Sequence, residues 1–378
     1  MEVKCISAHP RRFDQEFELV LAGCDGARRL DITSLLTPDL DWQRVLDSAE
    51  HHRLVPALHA ALAGKNGVPS TVRVRSQKHA WRVLHFTVEL TKIARCFEQG
   101  GIEFLAHKGP ALGQLLYGNP AMRQFGDLDV IVRLRDFNRA KNALIELGYD
   151  PHLHLSPRQE QAFVRSGYEC SFGLNSERNL VELQWQIMPR FCAMNFDVNA
   201  LFSRSMQIDL DGVSLRTMGY EDLLLVLCVH AAKHEWAQLG MLRDIAALAR
   251  FDLDWNWMVV EARRLGILKI LQVSLLAAGK LFDISLRTQL PLATEGTAEV
   301  ASATVARLQH NYDPDTESIR YFRAQLQTRE RWRDRARFVW RLATTPSVQE
   351  WQAAQIPDRC FALYRGVRIA RLMKRFLT

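Results

Sequence analysis

The sequence predicts an α+β fold, mostly helical, with a small α/β core flanked by N- and C-terminal helical regions. Three observations predict it. Residues 41–99 carry helix-period apolar patterns, residues 101–190 switch to short apolar strands alternating with short helices, and after Pro189 the helical pattern returns. Four regions follow: an N-terminal helical region over 1–100, the α/β core over 101–190, a second helical domain over 191–284 and a basic helical region over 285–378. At roughly 150 residues per domain, such a chain is long enough to bury a real core.

Composition excludes several classes. A chain of 378 residues with 48% apolar and 24% charged residues is not disordered. Its seven scattered cysteines, with no Cys-x-x-Cys pair, do not form a disulfide scaffold and are expected to be reduced and mostly buried. No basic-then-apolar leader opens the sequence, and its most apolar run, Leu223 to Val229, is seven residues long. A bilayer span needs roughly 20, so no transmembrane segment and a cytoplasmic location are expected. The formal charge of +7 is unevenly spread: residues 321–378 hold 12 Arg and 1 Lys against four acidic residues, a net of +9, which leaves −2 on residues 1–320.

The elements are read in order. Trp42, Val45, Leu46 and Ala49 recur at helical spacing, and Pro56 divides 41–63 into two helices or one kinked helix. Gly64 to Pro69 is a stop signal, and a long helix over 70–99 ends at Gly100-Gly101. Ahead of these helices, at the start of the first hundred residues, Phe17 to Ala22 reads as a candidate strand. Ile102 to Ala106 is a strand, and Lys108-Gly109-Pro110 is a tight exit with Pro placed to open a helix to Tyr117. Asp127 to Val132 is the next strand, Asp136 to Leu147 a helix, and 168–174 with 179–187 two further strands suited to a hairpin. Helices follow from Leu223 to about Trp236, from Met241 to Arg250 and within 255–282, while 285–320 is mixed.

The chemistry centres on Gly126-Asp127-Leu128-Asp129. In a strand, residues i and i+2 share a face, so Asp127 and Asp129 stand side by side while Leu128, Val130 and Val132 take the core face. Two carboxylates this close repel each other unless a cation lies between them. Oxygen-rich sites of this kind suit Mg²⁺ or Mn²⁺, and paired metals can clamp the oxygens of an in-line phosphoryl displacement. Two solvated aspartates at a strand start are the plain alternative. Upstream, Gly109 lets a phosphate approach the backbone, and the helix after it offers free N–H groups to an anion. Downstream, Glu182 in Val181-Glu182-Leu183 can supply a third carboxylate, with Glu169 as the other candidate.

Together these motifs resemble the uncharacterised nucleotidyltransferases of the polymerase-β-like superfamily. The matching residues are Lys108-Gly109, Tyr117-Gly118-Asn119-Pro120, Arg123, Asp127-Leu128-Asp129, Glu182-Leu183-Gln184-Trp185, His230-Ala231-Ala232-Lys233-His234-Glu235-Trp236 and Asp244, across about residues 40–270. Gln184 stands where the family has His. The resemblance implies a polymerase-β-like α/β core and a metal-dependent transfer of a nucleotidyl group from an NTP, such as ATP, to an acceptor. It implies that Asp127, Asp129 and Glu182 hold Mg²⁺ or Mn²⁺, with Glu182 also taking the acceptor's proton. Lys108, Gly109, Arg123, His230, Lys233 and His234 would bind the nucleotide, and the 191–284 domain would close over it. The acceptor is a small molecule, a peptide or protein, or RNA. The alternative is a catalytically inactive nucleotide-binding or scaffold protein on the same fold, which Gln184 and the open choice of third carboxylate keep alive.

Several readings stay open. His230, Lys233 and His234 share one helical face, which is either a cationic surface over the triphosphate or a polar stripe packed against the α/β unit. A zinc site is the weakest reading, since no Glu follows the first His. Arg123 either contacts phosphate or orients Asp127 or Asp129, and Asp244 is expected to pair with the His-Lys-His stripe. His152-Leu153-His154 is expected in a surface loop. In the tail, alternating arginines from Arg329 to Arg337 are interleaved with Trp332, Phe338 and Trp340 near them, and 361–377 is a basic amphipathic pattern. Three readings compete there: a solvated helical face docked by its apolar side, a site for RNA or another polyanion, and attachment to an anionic membrane or a partner protein.

Overall fold

The computed structural model describes residues 13–24, 32–174, 177–282, 284, 294–315, 318–354 and 356–377. A five-stranded mixed sheet is its centre: β1 (Phe104–Ala106), β2 (Leu128–Val132), β3 (Asp150–Pro151), β4 (Glu169–Leu174) and β5 (Glu177–Gln184), in the order β1-β2-β5-β4-β3. β2 and β5 are parallel, and every other pair is antiparallel. β4 and β5 pair as the expected hairpin. The candidate strand at Phe17–Ala22 is instead a helix, Gln15–Cys24, with Phe17, Leu19, Val20 and Leu21 all buried. Apolar burial around the whole element, against the helices Trp42–His51 and Val55–Ala61, overrides the strand-like composition.

Two apolar clusters explain which way the carboxylates point. Leu128, Val130 and Val132 pack with the long helix Ser70–Gln99 and with Leu183 of β5. Ile131, on the same strand face as Asp129, joins the other cluster, built from the N-terminal helices and the helices Tyr220–Lys233, Leu239–Leu248 and Leu268–Phe282. The two-residue period therefore turns Asp129 toward the helical regions. Region 191–284 was expected to be helical, yet it also contains a hairpin, β6 (Met206–Leu210) and β7 (Val213–Thr217). Its two-residue turn, Asp211-Gly212, has both residues at positive φ, as a primed turn requires. A further helix, Pro157–Ser166, opens on a Ser156–Gln159 capping box just after the expected His152–His154 loop.

Among the described residues no helix is long and apolar enough to cross a membrane. Cys24, Cys96, Cys170, Cys192, Cys228 and Cys360 are free thiols, four of them buried, while Cys5 lies outside the described residues. The tail docks on the body. Phe338 of the helix Trp332–Thr344 packs on Phe191, ring centroids 6.1 Å apart, and shares a small cluster with Leu342 and Leu372.

The break between the first two core-facing helices is pinned by His52. Its ring is buried, Nδ1 accepts the Leu239 N–H at 3.3 Å and Nε2 donates to the Leu308 carbonyl at 2.9 Å. Gly240 N–H also donates to the His52 carbonyl at 3.0 Å, an approach so close that a side chain at Gly240 would meet that oxygen at 2.9 Å. Because Nδ1 faces a donor, the ring must be neutral. Burial, helped by neighbouring His51, lowers its pKa from 6.5 to about 3. The unfolded chain thus takes up a proton that the folded chain refuses, so stability rises with pH between these values and is lost as pH falls from about 6.5 toward 3. We expect His52→Gln to cost about 1–3 kcal/mol at neutral pH and to lose less further stability on acidification than the wild type. Urea unfolding across that window measures both effects.

Candidate active site

Glycine at position 109 creates the turn beside the carboxylates. Its φ is +57°, a left-handed conformation that residues other than glycine rarely adopt, and the Asp127 carbonyl oxygen lies in van der Waals range of where a Cβ would sit. The helix Gly109–Tyr117 starts at this point, with Lys108 in extended conformation at its N-cap. Gly109 is buried but does not line the cavity described next.

A cavity of about 210 Å³ gathers the other expected residues. From the core come Lys108, Arg123, Asp127, Asp129 and Glu182, and from the helical region come His230, Lys233 and His234. The parallel register places Asp129 directly beside Glu182, while Glu169 faces Gln184 across β4 and β5. Both candidate third carboxylates line the cavity.

Buried like charges dominate its electrostatics. Burial raises Asp127, and adjacent Asp129 adds to the effect. Glu182 is pushed up further by burial and by Glu169, Asp129 and Asp127. Asp129, only 4% exposed, goes the other way: burial would raise it, but the Lys108 ammonium, with help from His107 and Arg123, holds it below the usual carboxylate range. Lys108 Nζ donates to Asp129 Oδ1 at 2.7 Å. Gln184 Nε2 lies 2.9 Å from the same oxygen, 3.3 Å from Glu169 Oε2 and 3.4 Å from Glu182 Oε2. An amide has two N–H donors, so Gln184 cannot satisfy all three carboxylates at once.

The clustered carboxylates bear on metal binding. Among the described residues no three His, Cys, Asp or Glu side chains are grouped closely enough to hold a metal ion on their own. Mg²⁺ does not require such a cage, since it is commonly held by one or two carboxylates, waters and the phosphates of its substrate. Asp127, Asp129 and Glu182 offer oxygen donors of the kind a hard divalent cation takes, and in that respect the residues present fit one.

Of the two readings left open for the helical face, the two imidazoles do not supply the charge of the cationic one. Burial, then the Lys108, His234 and Lys233 charges, lower His230 well below its ordinary value. Burial and the Lys233 charge bring His234 to about 3. The face thus offers two neutral imidazoles and one ammonium. Lys233 Nζ donates to Tyr168 Oη at 2.7 Å, tying the face to the start of β4.

Asp244 does not pair with this stripe. It accepts from Arg123 Nε at 2.8 Å and from Tyr117 Oη at 2.7 Å, and the Arg243 guanidinium lies over the Tyr117 ring at 4.0 Å. Arg123 therefore bonds to Asp244 and to neither site aspartate, and its buried Nη1 has no partner. The Tyr117 and Arg123 motif positions clamp the helix Leu239–Leu248 to the core.

Sequence reasoning missed Arg53. It lies in the break after His52, at a left-handed φ of +60° that non-glycine residues rarely adopt, and its side chain lines the cavity. Among the described residues its guanidinium makes no hydrogen bond, though it feels the charges of Asp127, Asp129 and Asp244. The only sequence signal was a basic run, His51-His52-Arg53, at a helix interruption.

A family model described as uncharacterised nucleotidyltransferase matches residues 38–283 of the chain. Among solved structures, an antigenic nucleotidyltransferase-like protein from Paracoccidioides brasiliensis aligns at 15% identity over 52% of this chain and 93% of its own, with a TM-score of 0.31. No curated protein matches the chain.

The Arg123–Asp244 pair is buried on both sides, so removing one partner strands the other charge. Asp244→Ala should cost about 3–5 kcal/mol of stability, read as a lower urea midpoint. Asp244→Asn, which keeps the shape, should cost less.

Proposed function

Because the chain belongs to this family of uncharacterised nucleotidyltransferases, we propose that it moves a nucleoside monophosphate from an NTP to an acceptor and releases pyrophosphate. The observation that supports this reading is the register of Asp129 on Glu182, with Asp127 two residues earlier, in one cavity with unsatisfied cationic donors. Asp127, Asp129 and Glu182 would hold a divalent cation, Mg²⁺ or Mn²⁺. Bound there, it would offset carboxylate and phosphate charge and favour in-line displacement.

The chain's own residues divide the remaining work. The exposed Arg53 guanidinium and Arg123, whose Nη1 has no protein partner, bind the phosphates together with Lys233. Neutral His230 and His234 donate single hydrogen bonds rather than charge. Lys108 keeps Asp129 ionised, and Gln184 keeps the carboxylate side chains oriented. In the reaction the acceptor oxygen bonds to the α-phosphorus, the bond to the pyrophosphate oxygen breaks, and a Glu182 carboxylate oxygen takes the acceptor's proton. Pyrophosphate leaves with the bonding electrons.

The test is NTP-dependent labelling of cell extract, with mass analysis of whatever gains an NMP. Asp127→Asn and Asp129→Asn should each cut transfer at least about 100-fold while far-UV circular dichroism stays unchanged. Arg53→Gln should raise the KM for NTP about tenfold with a smaller change in kcat. Wild-type labelling by the double aspartate variant would refute the assignment. NTP binding without pyrophosphate release would favour the inactive nucleotide-binding reading instead.

A further inference from the structure

A second, larger concavity lies beside the carboxylate cavity. Its volume is about 780 Å³, and five arginines line it: Arg158 and Arg165 of the helix Pro157–Ser166, Arg190 after β5, Arg341 of the helix Trp332–Thr344 and Arg365 of the helix Tyr364–Leu377. The described lining residues include no Asp or Glu. Two close polar contacts here are to backbone oxygens rather than carboxylates: Arg341 Nη1 donates to the Arg190 carbonyl at 3.1 Å, and Arg190 Nη1 to the Arg165 carbonyl at 3.4 Å. Aromatic rings complete the wall. Trp340 is 70% exposed, and the Arg158 guanidinium sits over the Phe361 ring at 5.8 Å.

We propose that this groove binds a single-stranded polynucleotide, its arginines taking successive phosphates and Trp340 stacking on a base. Guanidinium forks match phosphate geometry, and open ring faces accept any base. Five guanidiniums with no Asp or Glu among the described lining residues give the groove a positive field that attracts a polyanion. Burial, with neighbouring Arg190 and Arg337, already lowers Arg341 from its ordinary value. A lipid surface would call for a projecting apolar face with basic flanks, whereas here the cations line the concavity itself. The groove also shares two chain segments with the carboxylate cavity. Arg165 lies three residues before Tyr168, and Arg190 two after Met188, and Tyr168 and Met188 line that cavity.

The inference concerns binding and stands apart from the transfer reaction, so it is measured in the Asp127→Asn/Asp129→Asn protein. Fluorescence anisotropy is recorded with end-labelled RNA and DNA single strands of about twelve nucleotides over a range of salt concentrations. Binding of either polymer is expected, and the tighter of the two names the source. Arg165→Gln/Arg365→Gln, at two exposed positions, should weaken binding at least about tenfold and lower the slope of log affinity against log salt by about two. Trp340→Ala should weaken it about tenfold. A charge-matched control outside the groove, Arg73→Gln/Arg95→Gln, should match the parent, and thermal melting checks that every variant is folded. The proposal is overturned if the parent binds neither polymer. It is also overturned if control and groove variants lose affinity equally, or if anionic vesicles or polyglutamate bind through the groove and polynucleotides do not.

Discussion

Three or four carboxylates crowded at one buried place on the sheet are costly, and much of the surrounding structure answers that cost. The parallel pairing of β2 and β5 sets Asp129 beside Glu182, and Asp127, in the bend just before β2, lines the same cavity. Like charges at this spacing in low dielectric disfavour ionisation. Each nearby donor therefore has an electrostatic reason for its position: Lys108 on Asp129, Gln184 among three carboxylates, and Arg53 and Arg123 within the same field. Gly109 supplies the positive φ of the turn that follows Lys108.

The helical parts serve the same place by fixing backbones rather than by supplying many charges. His52 ties the break before Arg53 to Leu239 and Leu308 through its ring, while its carbonyl holds Gly240. Asp244 holds Arg123 and Tyr117 from the other side. Arg53 and Arg123 both line the cavity, and Arg123 Nη1 keeps a donor without a protein partner.

Much of this was legible in the sequence, for physical reasons. Asp127 and Asp129 announced themselves because a period of two fixes which side chains share a face. The helix Ser70–Gln99 was read to the residue because Pro69 and Gly100-Gly101 bracket it. The hairpin at Asp211-Gly212 was readable too, since an Asp-Gly pair between alternating apolar residues signals a primed turn, but the strong helical run after Tyr220 drew the whole region toward helix. Arg53 was not readable, because its place depends on a left-handed backbone set by contacts from residues nearly 190 positions away. The partner of Asp244 was hidden for a similar reason: charge spacing on one helix does not say which distant arginine is buried against it. Whether the His230 and His234 rings carry charge was open in the sequence, because burial, which lowers the pKa of both, is set by tertiary packing.

The His52–Leu308 bond also says how much polypeptide must be present for the site to hold its shape. Family similarity ends at residue 283, yet the carbonyl that receives His52 Nε2 belongs to the helix Glu295–Leu308. Ala301 and Leu308 of that helix are in the same apolar cluster as the N-terminal helices. A fragment trimmed to the region of similarity would leave the imidazole N–H without its acceptor and uncover part of that cluster. The smallest self-supporting unit that carries the site therefore reaches at least to Leu308, and homology alone would place its end too early.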